Sequence, residues 1–499
     1  MKKSEEPRKQ NSQKQDLKKS KPKKKSQNRR NPQNHELAVV TYLFVGLFTL
    51  LIGYFIYFNA VLSPDVINNP YNSRQDTFAD RIVRGNILAS DGTVLARTDI
   101  NSDGTETRSY PFDNMFAHVV GYSTRGKTGI ESLANFNLLT SNAFIGERIV
   151  NEIKEEKNFG DNVTTTLDVD LQRTAYDALS GQKGAVVVLE VKTGKILAMV
   201  SRPDFNPNRI NEDWEALNSE TDSDSVLYNR ASQGQYAPGS TFKIITLLEY
   251  IRENSNYEDF DFDCKGSLTE GNYTINCYGK TVHGQEDLKK SFAKSCNGAF
   301  ASIGLSLDTT KFNETCQQLL FNTELPFSIP YSKSSFTLNE STVPAERMMT
   351  GIGQGETLVS PLHMAMIVSS IANEGLLMEP YLLEHVESYT GENIKTFTPS
   401  VYGNLMTEEE ASILTEYMEE VVESGTGRKL NDLGFLVAGK TGTAEYSSDK
   451  SKSHAWFAGF SNTGEEDIAV CVLVEEVGSG SEYAVPIARK VFAAWDAKR

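Results

Sequence analysis

The segment YAPGSTFKIITLLEY, residues 236–250, sets Ser240 and Lys243 three residues apart where an apolar pattern of helical period begins. Pro238-Gly239 breaks the preceding chain, so a helix is expected to start at the serine. The first-turn N–H groups of a helix lack partners and its dipole is positive there, which stabilises negative charge developing near Ser240. Lys243 lies one turn on, on the same face. Burial beside other cations depresses an ammonium pKa, and a neutral Lys243 takes the proton that Ser240 must lose to attack a carbonyl. The chemistry is that of an activated serine nucleophile.

The spacing alone carries little information, because Ser-x-x-Lys also occurs at Ser20, Ser180, Ser291 and Ser447. Lys-Thr-Gly occurs at Lys192-Thr193-Gly194, between two apolar runs, and again at Lys440-Thr441-Gly442 in VAGKTGTAEY. Order separates signal from coincidence. Ser240-x-x-Lys243, Ser295-Cys296-Asn297 and Lys440-Thr441-Gly442-Thr443 succeed one another as the three-part set of penicillin-binding proteins and class A β-lactamases.

With the strings RGNILASDG, HVVGYSTRGKTGIE, GAVVVLEVKTGKILAMVSRPDFNPN, LYNRASQGQYAPGSTFK, GIGQGETLVSPLHMA and HAWFAGF, the chain resembles class B penicillin-binding proteins over roughly residues 80–495. The resemblance implies a membrane-anchored peptidoglycan D,D-transpeptidase, covalently inhibited by β-lactam antibiotics. Ser240 would be acylated by the penultimate D-Ala of a stem peptide, releasing the terminal D-Ala, and an acceptor amine would take the acyl group. By the same carry-over, Ser295 relays a proton between Lys243 and the leaving nitrogen, and Asn297 orients Lys243 and binds substrate backbone. Lys440 supplies positive field near Ser295. Thr441 and Thr443 hold the terminal carboxylate, Gly442 admits the substrate backbone, and the N–H groups of Ser240 and Thr443 form an oxyanion hole. Asn229, Arg230, Gly353, Gln354 and Gly355 are read as loop support, and Glu445, His454 and Trp456 as structural. No metal or organic cofactor and no nucleic acid is implied. A SEDS-type membrane glycosyltransferase and divisome or elongasome proteins are the implied partners.

A D,D-carboxypeptidase or a β-lactamase uses the same three motifs, and a non-enzymatic β-lactam sensor or scaffold would also keep Ser240. The membrane anchor and the module of about 90 residues before the catalytic part favour transpeptidation of a polymeric substrate. A cytoplasmic tail of 36 residues is short for a sensor.

Three distant motifs must be brought together by a sheet built from both ends of the chain. AVVVLEV and KILAMV read as a buried hairpin turning at residues 192–194, and HAWFAGF and DIAVCVLVEE as buried strands. SEYAVPIARKVFAAWDAK closes the chain as an amphipathic helix. TTLDVDLQRTAYDAL, TFKIITLLEYIREN, DLKKSFAKSCNGAFASIGLSL and SPLHMAMIVSSIANEG have helical spacing, so a helical block sits inside a sheet-and-helix frame. The expected fold class is α+β (an α/β sandwich): a penicillin-binding/β-lactamase-like domain with an antiparallel sheet flanked by helices. A β-rich pedestal precedes it, in which Asp91-Gly92 reads as a hairpin turn.

Residues 1–30 hold 13 Lys or Arg against 3 acids, net +10, which leaves −26 on the rest of a chain whose overall charge is −16. Leu37–Phe58 is a run of 22 residues without a charge, roughly 33 Å long as a helix and enough to cross a bilayer. A cleaved signal peptide is the rival reading, but the run is long for one and no small-residue cleavage site follows. The positive-inside rule keeps residues 1–36 in the cytoplasm and sends the remainder outside the cytoplasmic membrane. The expected divisions are a basic tail (1–36), a transmembrane helix (37–58), an extracellular pedestal (59–154) and a transpeptidase domain (155–499). Five cysteines fit no metal spacing, though Cys264 and Cys277 flank CKGSLTEGNYTINC and can close a small hairpin disulfide.

Overall fold

The computed structural model describes residues 32–58, 81–154, 156–219, 224–445, 452–464 and 466–499, and the chain divides into two units, residues 1–66 and 67–499. In the first unit, helix α1 (Pro32–Tyr57) carries the apolar run. The helix from His35 to Tyr57 includes a window of mean hydropathy 2.2 and is exposed along its length, as a lipid-facing helix would be. Thr41 and Thr49 return their hydroxyls to the carbonyls of Leu37 and Val45, so these polar groups are satisfied without water. The basic segment 1–31 lies outside the described residues.

In the second unit a short strand at Ile82–Val83, paired with Asn158–Phe159, precedes β1 (Ile87–Leu88), β2 (Val94–Ile100) and β3 (Glu106–Ser109). Between β1 and β2 the chain turns at Gly92, whose φ of +83° suits glycine. The Lys/Glu-rich stretch that follows is helical, as α2 (Ile145–Lys154), before β4 (Asn162–Thr165). Helix α3 (Val169–Ala178) starts where the Asp168 carboxylate accepts from Leu171 N–H. Strands β5 (Gly184–Glu190) and β6 (Ile196–Arg202) form the expected hairpin, turning through Gly194 at φ +79°.

Helix α4 (Lys243–Glu253) is followed by an insert of short strands: β7 (Asp261–Cys264), β8 (Ser267–Glu270), β9 (Tyr273–Asn276) and β10 (Gly284–Asp287). The segment DLKKSFAKSCNGAFASIGLSL is two helices, α5 (Leu288–Ala293) and α6 (Asn297–Ser306), because the chain breaks at Ser295, whose φ is +57°. Helix α7 (Pro361–Ala372) is buried almost throughout. After it come β11 (Leu383–Glu387), β12 (Asn393–Thr396), α8 (Glu408–Glu423), β13 (Val437–Ala444), β14 (His454–Ser461), β15 (Ile468–Val474) and the closing helix α9 (Ala484–Asp496).

Two sheets organise this unit. The larger-stranded one has the order β12-β11-β4-β1-β2-β3, with β1 and β4 parallel, and so joins residues from 87 to 396 across the position near 155 where the sequence suggested a division. The other, β13-β14-β15-β5-β6, is antiparallel throughout and pairs strands of residues 184–202 with strands of residues 437–474. Its central strands are buried on both faces, which is why they read as unbroken apolar runs. Val187, Leu189, Cys471 and Leu473 belong to one core, and Val186, Val188, Val470 and Val472 to the other. Helix α7 packs on the first face, α3 and α9 on the second.

Before β4, Glu131 is fully buried and receives both Arg84 and Arg108, at 2.6 and 2.7 Å. Removing one member of such a cluster leaves buried charge without a counterion. Glu131→Ala is therefore expected to cost about 3–5 kcal/mol, read as a lowered urea midpoint for unfolding of the 67–499 unit.

Candidate active site

Ser240 lies in a 3-10 turn, Gly239–Phe242, that runs directly into α4, rather than at the first residue of an α-helix. Lys243 opens the α-helix three residues after Ser240, one turn on and on the same side. The turn is held from two sides by bare backbone. Gly239 donates its N–H to Gly353 O at 2.8 Å, and a Cβ on Gly353 would stand 1.9 Å from Gly239 O. A Cβ on Gly239 would stand 2.8 Å from Thr443 O. Gly353 therefore supports the serine turn, as read from the sequence, and the reason is steric.

Lys243 is completely buried. Its Nζ donates to Ser295 O at 2.8 Å, to Asn297 Oδ1 at 2.8 Å and to Ser295 Oγ at 3.2 Å. Burial pushes its pKa down to about 8, against the pull of Cys296, Cys277 and Glu286, which favour the charged form. At that value about a tenth of the group is a neutral amine at pH 7. Lys440, also completely buried in edge strand β13, donates to Ser295 Oγ at 2.9 Å and Thr441 O at 3.2 Å. Burial, reinforced by the charge of Lys243, holds its pKa well below the usual lysine range. The Ser295 hydroxyl thus sits between two ammonium groups. Each ammonium also faces an aromatic ring, Lys243 over Phe300 and Lys440 over Phe292.

The turn between α5 and α6 presents Ser295 and Asn297 together. Ser295 adopts its left-handed conformation while its N–H and that of Cys296 donate to Phe292 O and Ser291 O. Cys296 turns inward and caps α6 through its sulfur. Asn297 Nδ2 donates to Asn276 O at 2.9 Å, tying the turn to β9.

Ser240, Ser295, Asn297, Thr441, Gly442 and Thr443 all line one cleft of about 770 Å³. Thr441 Oγ1 bonds Thr426 Oγ1 at 2.5 Å, and Thr443 Oγ1 accepts from Gly480 N–H at 3.4 Å. The missing side chain of Gly442 admits the serine turn: a Cβ there would meet Pro238 O at 2.9 Å and Thr241 Cγ2 at 3.1 Å. The cleft also exposes Thr426, Ser479 and Ser481, whose hydroxyls no sequence pattern had marked. Such a cleft can bind an anion near Thr441 and Thr443 and deliver protons along Lys243, Ser295 and Lys440 to a group held beside Ser240.

Of the residues read as support, Arg230 pairs with Glu475 at 2.9 Å, and Glu475 accepts from Tyr236 OH at 2.6 Å. Tyr236 stands edge-on to His454 and Trp456, and Trp456 Nε1 donates to Ala237 O just before the serine turn. Gln354, its amide oriented to suit its neighbours, pairs with the backbone of Glu445. Asn229 Oδ1 accepts from Ala231 N–H. Gly355 turns at φ +82°.

The cysteines behave differently from their reading in the sequence. All five are thiols and buried. Cys264 and Cys277 are not bonded, and they lie in one group with His283 and Cys296 although their sequence separations match no local ligand motif.

Family models match the chain in two places: the penicillin binding protein transpeptidase domain over residues 184–493 and the penicillin binding protein A dimerisation domain over residues 84–163. The chain is 33% identical over 440 residues to peptidoglycan D,D-transpeptidase PbpA of Mycolicibacterium smegmatis, covering 82% of this chain and 88% of that protein. It superposes with a TM-score of 0.75 on the D,D-transpeptidase domain of a peptidoglycan glycosyltransferase from Eggerthella lenta, at 31% identity, covering 84% of this chain and 99% of the other. Penicillin-binding protein A from M. tuberculosis, solved as a penicillin G acyl-enzyme complex, superposes at 0.73 with 29% identity, over 83% of this chain and 99% of the other.

The contact at residue 442 makes a structural prediction. Gly442→Val drives methyl groups into Pro238 and Thr241, and is expected to cost about 1–3 kcal/mol and to speed amide exchange in residues 238–243, measured by hydrogen–deuterium exchange.

Proposed function

The chain belongs to the penicillin-binding protein transpeptidase family, and from that premise we propose that it is a peptidoglycan D,D-transpeptidase acting through an acyl-enzyme on Ser240. The observation that carries the reading is the Ser295 hydroxyl, held at 3.2 Å from Lys243 Nζ and 2.9 Å from Lys440 Nζ, in the cleft that Ser240 lines.

Neutral Lys243 takes the Ser240 proton as Oγ attacks the carbonyl of the penultimate D-Ala. The backbone N–H groups of Ser240 and Thr443 receive the oxyanion. The C–N bond then breaks, and the leaving D-Ala nitrogen takes a proton passed from Lys243 through Ser295. Lys440 keeps the potential positive around that hydroxyl, and Thr441 and Thr443 bind the terminal carboxylate. Asn297 fixes Lys243 and faces the substrate backbone. The acceptor amine of a second stem peptide reverses these steps, forming the cross-link and freeing Ser240. A β-lactam follows the first half of the path and stays attached, as penicillin G does in the M. tuberculosis relative.

The proposed placement follows from charge and hydropathy. Residues 1–36 stay in the cytoplasm, α1 spans the membrane, and the pedestal (59–154) and transpeptidase domain (155–499) stand outside, where stem peptides are. A separate SEDS-type membrane glycosyltransferase, with divisome or elongasome proteins, supplies the glycan strands. Supporting this are the 13 basic residues among the first 30 and the class B resemblance.

Labelled penicillin is expected to mark Ser240, located by peptide mass spectrometry, and Ser240→Ala to abolish labelling. Lys243→Met should slow acylation by about 10²–10⁴-fold while leaving the unfolding midpoint within reach of the wild type. With stem peptide and an acceptor amine, a cross-linked product is expected. An adduct at another residue removes the assignment of Ser240, and free acid as the sole product makes the enzyme a hydrolase.

A further inference from the structure

The insert between α4 and α5 brings four soft ligands to one point. Cys264 ends β7, Cys277 follows β9, His283 precedes β10, and Cys296 caps α6. Their ligand atoms all lie within 4.8 Å of one another. Cys264 Sγ is 3.7 Å from Cys277 Sγ and 3.4 Å from His283 Nδ1, and Cys277 Sγ is 3.8 Å from Cys296 Sγ.

Three of the six separations are close to the edges of a coordination tetrahedron, and the others stay within 4.8 Å. With Zn–S near 2.3 Å and Zn–N near 2.0–2.1 Å, tetrahedral angles put two sulfurs about 3.8 Å apart and a sulfur and a nitrogen about 3.6 Å apart. Thiolate and imidazole donors suit zinc, whereas carboxylate-poor sites of this kind do not suit magnesium or calcium. The surroundings agree. Gly266 N–H points at Cys264 Sγ from 3.4 Å and Ala299 N–H at Cys296 Sγ from 3.5 Å, the outer donors that thiolate ligands use. Glu286 is 1% exposed, its Oε1 has no hydrogen-bond partner and its Oε2 is 3.9 Å from His283 Nδ1. A buried carboxylate in that state is expensive without a nearby cation.

We propose that Cys264, Cys277, His283 and Cys296 bind one Zn²⁺ as a closed structural site that clamps the insert to the Ser295-Cys296-Asn297 turn. Four protein ligands fill the tetrahedron and leave no open position, so the ion takes no part in chemistry itself. Binding turns three thiols into thiolates and releases their protons to solvent. The site lies one residue from Ser295 and one from Asn297. Its effect is to fasten the turn to the insert at a second point, beside the hydrogen bond from Asn297 to Asn276 O.

The full-length protein in detergent is expected to carry about one zinc per chain after gel filtration, measured by inductively coupled plasma mass spectrometry. Exchange of zinc for Co²⁺ should give tetrahedral d–d bands and a thiolate-to-cobalt charge-transfer band. Cys277→Ser and His283→Ala should weaken metal retention by about tenfold or more. Ser240→Ala should retain the metal in full, so loss of the site and loss of the nucleophile are read separately. Hydrogen exchange across residues 261–297 should rise on chelation and fall when Zn²⁺ is restored. If the variants do not fold, the cobalt spectrum of the wild type decides alone. A reduced wild-type chain that takes up neither zinc nor cobalt overturns the proposal, as does a cobalt spectrum without the thiolate band or a Cys264–Cys277 disulfide in freshly isolated protein. Exchange that ignores the metal removes the clamping role.

Discussion

Two lysine ammonium groups, both shielded completely from solvent, point at one serine hydroxyl. Since the two hydrogen bonds are 3.2 and 2.9 Å long, the nitrogens are at most about 6 Å apart, close enough for each charge to disfavour the other. Desolvation is the larger cost for both groups. The structure meets it with acceptors and rings: Ser295 O and Asn297 Oδ1 for Lys243, Thr441 O for Lys440, and the faces of Phe300 and Phe292. What remains uncompensated appears as the lowered pKa of both groups. Every other feature of the site serves to keep these groups in place against their preference for water or for one another.

Convergence of this kind needs backbones to touch, and the glycines show where they do. The serine turn is wedged between Gly353 on one side and the β13 backbone at Thr443 on the other. Gly442 lets β13 come up to Pro238. The position of β13 is fixed in turn by its pairing with β14 from Val437 to Ala444. Ser295 accepts a left-handed backbone that costs a non-glycine residue about 1–3 kcal/mol. That conformation breaks the helical pattern and aims its hydroxyl between the two lysines. The packing of α7, α3 and α9 on the central sheet makes this frame stiff enough to sustain the strain.

Much of this was legible because order along the chain is information that spacing lacks. Ser180 lies past α3, and its Lys183 pairs with Asp224 on the surface. Ser291 is buried inside α5. Lys192-Thr193-Gly194 is only the turn between β5 and β6. Ser20 and Ser447 fall outside the described residues. Strands β5, β14 and β15 were readable because both faces are buried, which makes composition alone sufficient. The break at Ser295 was hidden by the helical spacing of the apolar residues on either side of it, although Ser295, Cys296, Asn297 and Gly298 are themselves weak helix formers. Thr426 and Ser481 were hidden for another reason: they meet Thr441 and the cleft only through tertiary folding.

The cysteine group shows the same limit from the opposite side. A local metal motif is visible when its ligands share one knuckle, but here each comes from a different element, so separations along the chain say nothing about distance. The insert that carries them is small. Its strands expose most of their side chains, with Cys264, Ile275 and Cys277 among the few buried ones. A unit of that size cannot fix its own conformation by apolar burial. Yet it walls the cleft with Tyr273, Thr274 and Ile275, and it holds Asn297, one of the three acceptors of Lys243. A wall that must stay put without a core of its own has to be fastened at a few strong points, and the thiols and imidazole gathered behind Asn297 are where such a fastening would transmit directly to the buried lysine.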